Sequence, residues 1–65
     1  MIVTIKTPST SHRNAGVFEA QKLGVEVEPF IDNSFEITVL RQDKLDSILA
    51  NSHGTILSAQ ARVAF

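Results

Sequence analysis

The chain has 65 residues, of which 43% are hydrophobic and 20% charged, a balance typical of a folded globular domain rather than of a disordered chain. A domain this short buries only about 60% of the surface that its unfolded chain exposes, so its margin of stability is small. The chain contains no cysteine, which excludes disulfides and thiolate metal sites and makes self-association a natural further source of stability. The net charge of −1 excludes the basic excess typical of nonspecific nucleic-acid binding.

The charges are unevenly distributed along the chain. Residues 1–24 have a net charge of +2, residues 25–36 a net charge of −4 and the remaining residues a net charge of +1. The segment MIVTIKT has neither the basic start of a signal peptide nor an apolar run long enough to span a membrane. We therefore expect one cytoplasmic domain over residues 1–65, with a locally acidic middle and no membrane partner.

The chain begins with a strand that leads into a helix. Residues 2–7 place Val3 and Ile5 on one face, as the two-residue period of a β-strand requires. Pro8 ends this strand, and a hydroxyl from residues 9–11 is expected to cap the helix that follows.

The first helix is expected to run to about Leu23. Ala15, Phe18 and Leu23 can share an apolar stripe, whereas Gly16 weakens the helix. Gly24 fits the left-handed position that commonly ends a helix.

A β-hairpin is predicted next, because residues 25–30 and 35–40 both alternate between apolar and polar positions. Asp32 and Asn33 supply the turn, and Pro29 indicates that the second strand either lies at an edge of the sheet or contains a bulge. The side chains predicted to face the core are Val25, Val27, Phe35, Ile37 and Val39.

A second helix and a final strand complete the chain. Within residues 41–54, Leu45, Ile48 and Leu49 have the spacing of a buried helical stripe, and Gly54 is expected to end the helix. Residues 55–65 alternate to the end of the chain. The positions expected on the core face of this strand are Leu57, Ala59, Ala61, Val63 and Phe65.

The order β-α-β-β-α-β predicts an α+β fold of the ferredoxin-like type, with a four-stranded antiparallel sheet and two helices on one face. Because βαβ crossovers are right-handed, the first and third strands should lie in the middle and the second and fourth at the edges. The architecture is a two-layer sandwich with one open sheet face.

The last strand is the feature most suggestive of function. It is predicted to span about 11 residues, against six or seven for each of the other strands, so its end should overhang the sheet with unpaired backbone groups. The open face adds apolar area from Ile2, Leu40, Ile56 and Ala64. We therefore expect a non-enzymatic protein-interaction or regulatory module that binds itself, as a homodimer, or another protein. The expected interface residues are Ile56, Arg62, Val63, Ala64 and Phe65.

An alternative function is a small domain that binds an anion or phosphate ligand, or associates with nucleic acid, at the start of the first helix. Free amides and a positive dipole end lie there in any helix. The candidate ligands are Ser9, Thr10, Ser11, His12, Arg13 and Asn14. No glycine-rich phosphate motif is present, so the same residues can equally be a plain helix cap.

Other chemistries have less support from the sequence. His12 and His53 lack metal-ligand spacing, and we expect them near opposite ends of the sheet, so no metal, cofactor or catalytic group is predicted. Glu26, Glu28 and Glu36 should form an acidic strip on the open face, either as a docking patch for a basic partner or as a solvated surface.

Nucleic acid is not expected on the sheet face. The acidic strip would repel phosphate. The phenylalanines are core candidates, and only Phe30 is placed where it could stack on a base.

Overall fold

The computed structural model describes residues 1–60. Its elements occur in the predicted order β-α-β-β-α-β. They are β1 Ile2–Lys6, α1 Thr10–Lys22, β2 Glu26–Pro29, β3 Ser34–Thr38, α2 Gln42–Ser52 and β4 Thr55–Gln60.

The four strands form one antiparallel sheet in the order β2-β3-β1-β4. The predicted α+β ferredoxin-like architecture is therefore confirmed, with β1 and β3 in the middle and β2 and β4 at the edges. In β1, Val3 and Ile5 are fully buried, and their neighbours on β3 are the equally buried Ile37 and Phe35. This face of the sheet carries the core, and within residues 1–60 no element packs on the opposite face.

The core is small and centred on the two middle strands. Its largest buried side chain is Phe35. The predicted core positions of β1, β3 and α2 are confirmed, with Leu49 only half-buried. The buried hydrophobic residues are Val3, Ile5, Ala20, Val25, Phe35, Ile37, Val39, Leu45 and Ile48.

Helix α1 contacts the core through a different face from the predicted one. Ala15 is exposed and Phe18 is 68% exposed, so the prediction that these two side chains pack in the core is wrong. Gly16 and Ala20 are buried in their place. A Cβ atom on Gly16 would lie only 2.6 Å from Phe35 Cζ, which means that the missing side chain lets the helix approach the phenyl ring.

The end of α2 also differs from the prediction. The residue in the left-handed conformation is His53, with φ of 53°, and not Gly54. The prediction that Gly24 adopts the left-handed conformation after α1 is confirmed, since its φ is 73°. Gly54 follows the cap and packs against β1. A glycine is required there because a side chain would collide with Ile5.

A polar seam connects α1 to α2. Glu19, only 8% exposed, accepts a hydrogen bond of 2.7 Å from Ser47 Oγ and lies 3.3 Å from Lys22 Nζ. The Ser47 hydroxyl holds the pKa of Glu19 below its usual value, and the Lys22 charge contributes in the same direction although partial burial opposes both. The charged form of Glu19 is thus the one that stabilises the packing of the helices.

This seam predicts an acid-dependent loss of stability. Because the pKa of Glu19 is lower in the folded than in the unfolded chain, the unfolded chain binds the proton more tightly in acid. The stabilisation is complete above the unfolded pKa and is lost as the pH falls through the lower, folded-state pKa. Glu19→Gln should flatten this decline in urea unfolding followed by circular dichroism at several pH values. Ser47→Ala should flatten it too, and an unchanged slope in both variants would contradict the assignment.

Candidate functional site

The predicted ligand loop is the N-terminal cap of α1. Ser9 has extended backbone angles, and its Oγ accepts a hydrogen bond of 3.3 Å from the backbone amide of His12. Among the three hydroxyls considered, Ser9 is therefore the one that caps the helix. Ser11 and Asn14 are exposed on the first turns.

Two side chains of this cap bind the turn between β2 and β3. Thr10 Oγ1 donates to Asn33 Oδ1 at 2.6 Å, and Arg13 Nη1 donates to the Phe30 carbonyl oxygen at 2.6 Å. The remaining donors of Arg13 include Nε and Nη2, at 3.3 and 3.0 Å from Asn14 Oδ1. The guanidinium that would bind an anion is thus engaged within the protein. Anion binding by Ser9–Asn14 stays a prediction without further structural support.

The turn between β2 and β3 is itself fixed to the end of β1. Thr7 Oγ1 donates to the Asn33 carbonyl oxygen at 2.6 Å, and Lys6 Nζ donates to the Asp32 carbonyl oxygen. Asp32 accepts from the Ser34 hydroxyl, which lowers the pKa of the carboxyl group, and the charge of Lys6 lowers it further. Asn33 has φ of 63°, as the predicted turn requires. These bonds connect the end of β1, the start of α1 and the turn at residues 30–33 at one end of the sheet, which we call the polar platform.

The histidines meet on this same platform, so their predicted separation is wrong. The ring centroids of His12 and His53 are 4.9 Å apart, with the planes at 83°. The cause is the strand pairing: β1 and β4 are antiparallel neighbours, so Lys6, at the end of β1, pairs with Thr55, at the start of β4. Helix α1 begins just after the end of β1, and α2 ends just before the start of β4. The start of α1 and the end of α2 therefore lie side by side.

The open sheet face carries the predicted acidic strip. Glu28 of β2 lies directly opposite Glu36 of β3, an arrangement in which like charges repel. These two glutamates line a shallow depression of about 220 Å³ together with Glu26, Val27 and Thr38. Its charge would repel a nucleic-acid backbone. A basic partner remains a hypothesis for this strip.

The two edges of the sheet differ in chemistry. The outer edge of β2 contains Pro29 and the charges of Glu26 and Glu28, which are common devices against pairing with another strand. Strand β4 has the sequence TILSAQ, with neither a charge nor a proline, and all six residues are exposed. Within residues 1–60, β4 is therefore the edge that is open to a further strand.

A β-bulge changes the predicted faces of β4. Ile56 pairs with Ile5 and Ser58 with Thr4, which leaves Leu57 as an extra residue between them. Since paired residues point to the same face, Ile56 lies on the helix side, and its predicted place on the open face is wrong. Leu57 is 60% exposed, so its predicted place on the core face is wrong, and Ile56 is 42% exposed. The remaining interface candidates, Arg62, Val63, Ala64 and Phe65, and the predicted strand end from residue 61 lie outside the described residues.

Leu40 and Phe30 also differ from the expected positions. Leu40 is 93% exposed but belongs to the connection between β3 and α2 instead of to a strand. Phe30 is half-buried just after β2, where its carbonyl oxygen binds Arg13. Ile2 remains on the sheet, half-buried in β1.

Neither helix within residues 1–60 combines the length and apolarity needed to cross a membrane. In the same residues, no three histidine or acidic side chains are grouped so that they could share a metal ion. No protein family, curated protein or solved structure was found to match this chain.

Proposed function

We propose that this domain is a cytoplasmic, non-enzymatic interaction module that forms a homodimer by pairing β4 with β4 of a second copy. The observation that carries the proposal is the contrast between the two sheet edges. β2 is blocked by Pro29 and two glutamates, whereas β4 is uncharged and exposed along its whole described length.

Antiparallel pairing of two β4 strands is compatible with the simplest symmetry of a dimer. A two-fold axis between them makes each strand contact the same strand of the other copy, and the two sheets become one sheet of eight strands. The outward amide and carbonyl groups of β4 then obtain partners that no strand within residues 1–60 supplies.

The apolar side chains of β4 support the same arrangement. Ile56 and Leu57 are both large and partly uncovered, and Ala59 beside them is exposed. The two helices pack over the middle of the sheet and leave this edge strand uncovered. A second copy that pairs through β4 would cover this apolar area with its own β4 and helices. Each Å² of apolar area removed from water contributes about 25 cal/mol to the free energy of association.

The size of the chain gives a further reason for association. A domain of 65 residues without cysteine has a small core and no disulfide. Binding a second copy stabilises the folded state by mass action, because only folded chains present the edge.

The proposal predicts that charge on β4 prevents dimerisation. Leu57→Lys should weaken self-association at least tenfold, a change of about 1.4 kcal/mol in binding free energy, because the ammonium group would be buried at the interface. Sedimentation velocity over a range of concentrations up to high micromolar measures this change. Phe18→Lys is the matched control, since Phe18 is as exposed as Leu57 but lies on α1. That variant should remain a dimer.

Two results would contradict the proposal. One is a wild-type chain that sediments as a monomer at high micromolar concentration. The other is dissociation by Phe18→Lys together with an unaffected Leu57→Lys, which would place the interface on α1.

A further inference from the structure

The contact between His12 and His53 carries an inference beyond self-association. We propose that these two side chains form a site for a divalent transition-metal ion of the zinc type. The site would lie on the polar platform, at the start of α1 and the end of α2. It uses neither β4 nor the open sheet face.

The separation of the rings matches that of two imidazoles on one ion. With metal–nitrogen bonds of about 2.0–2.1 Å and a tetrahedral angle, two bound imidazoles have ring centres roughly 5 Å apart. The observed centroid distance is 4.9 Å. The rings are close to perpendicular, and His53 is exposed, so rotation about its last side-chain bond can direct a nitrogen toward the ion without moving the backbone.

Ser9 prepares His12 for this role. Its Oγ is 2.7 Å from His12 Nδ1, so one ring nitrogen is already engaged in a hydrogen bond. Metal-binding histidines commonly have such a bond on the nitrogen that does not bind the ion, because it fixes the ring orientation. In His12 this leaves Nε2 for the metal. The same serine oxygen also caps α1, which ties the ring position to the start of the helix.

The backbone at His53 supplies an independent observation. His53 has φ of 53° and ψ of 34°, the left-handed conformation for which glycine is the usual residue. A side chain there adds steric strain to the helix end. The strained residue is the one whose imidazole contacts His12. Strain of this kind is characteristic of sites where a side chain must be held in one place.

The donor set determines the type of ion. Two imidazoles favour Zn²⁺, Ni²⁺ or Cu²⁺ over Mg²⁺ or Ca²⁺, which prefer oxygen ligands. No third histidine or acidic side chain within residues 1–60 completes the set, so water would occupy the remaining positions. The helix dipoles do not decide the binding, because the end of α2 carries partial negative charge and the start of α1, where His12 lies, carries partial positive charge.

The test is a ZnCl₂ titration of the untagged, isotope-labelled chain, followed by amide NMR and by calorimetry. We expect saturable shifts centred on His12, His53 and Gly54. His53→Gly should weaken Zn²⁺ binding at least tenfold. Because glycine is the preferred residue at this φ, that variant should unfold at the same temperature as the wild type or at a higher one. His12→Gln should also weaken binding at least tenfold, while Gln keeps a side chain that can support the serine cap.

The controls separate this site from other causes. MgCl₂ should produce no comparable shifts. Leu57→Lys should bind Zn²⁺ as the wild type does, so that a failure of the dimer proposal leaves the metal site standing and the reverse also holds. Absence of saturable shifts at the two histidines, or undiminished Zn²⁺ binding by His53→Gly, would overturn the proposal.

Discussion

Replacing Phe35 with alanine should remove a large share of the free energy of unfolding of the chain, whereas the same replacement at Phe18 should have almost no effect. Phe35 is fully buried at the centre of the core, and removing such a ring costs about 3–5 kcal/mol. The whole free energy of unfolding of a chain this size is about 3–10 kcal/mol. Phe18 is 68% exposed, and surface replacements typically change stability by less than about 0.5 kcal/mol.

The pair of variants is a direct test of the core, because both change the same side chain in the same way. Urea unfolding followed by circular dichroism measures both. The change should be determined at one protein concentration, since self-association would add to apparent stability. A large loss from Phe18→Ala would mean that this ring is covered, and a small loss from Phe35→Ala would mean that the core is centred elsewhere.

The element order and the sheet order could be predicted because their signals are local and repeated. Alternation in residues 2–7 and 35–40 identifies both middle strands, and the handedness of βαβ connections then sets the order. Pro29 indicated an edge strand because a proline cannot donate a backbone hydrogen bond, and β2 is indeed an edge.

The buried face of α1 could not be predicted from its apolar residues. Phe18 suggested a core position by its size, but the helix needs small residues where it crosses Phe35. Gly16 and Ala20 supply that close approach, but neither signals a buried position in the sequence, because glycine disfavours a helix and alanine favours a helix on any face. The size of the side chain that fits on α1 depends on Phe35, which lies across the interface on β3. The sequence of the helix alone does not show this.

The candidate sites were predictable to different degrees. The bulge at Leu57 reverses the predicted side of Ile56, and no residue of TILSAQ signals it, because a bulge without glycine has no strong local preference. The contact between His12 and His53 was predicted wrongly, although the predicted topology itself requires it. Antiparallel neighbours bring the end of β1 beside the start of β4, and both histidines lie near that junction.

The two glycines near the helix ends should respond differently to substitution, because each is required for a different reason. Gly24 has φ of 73° and no atom within 4 Å of an added Cβ, so its constraint is the backbone angle alone. Gly54 carries no such angle, but an added Cβ would overlap Ile5 Cγ2 and lie 2.9 Å from Ser52 Oγ. Both contacts are with fully buried side chains in the core.

Asparagine distinguishes the two constraints. It adopts left-handed angles more readily than alanine, so Gly24→Asn should cost less than Gly24→Ala, with a loss of no more than about 1 kcal/mol. At position 54 any side chain meets Ile5, and Gly54→Ala and Gly54→Asn should each cost about 1–3 kcal/mol or more by overpacking. Urea unfolding of the four variants gives the comparison. Equal losses from alanine and asparagine at position 24, or a neutral Gly54→Ala, would show that these helix ends are held differently, since the predicted pattern requires Ile5 to stay fixed in a core that cannot yield to one additional methyl group.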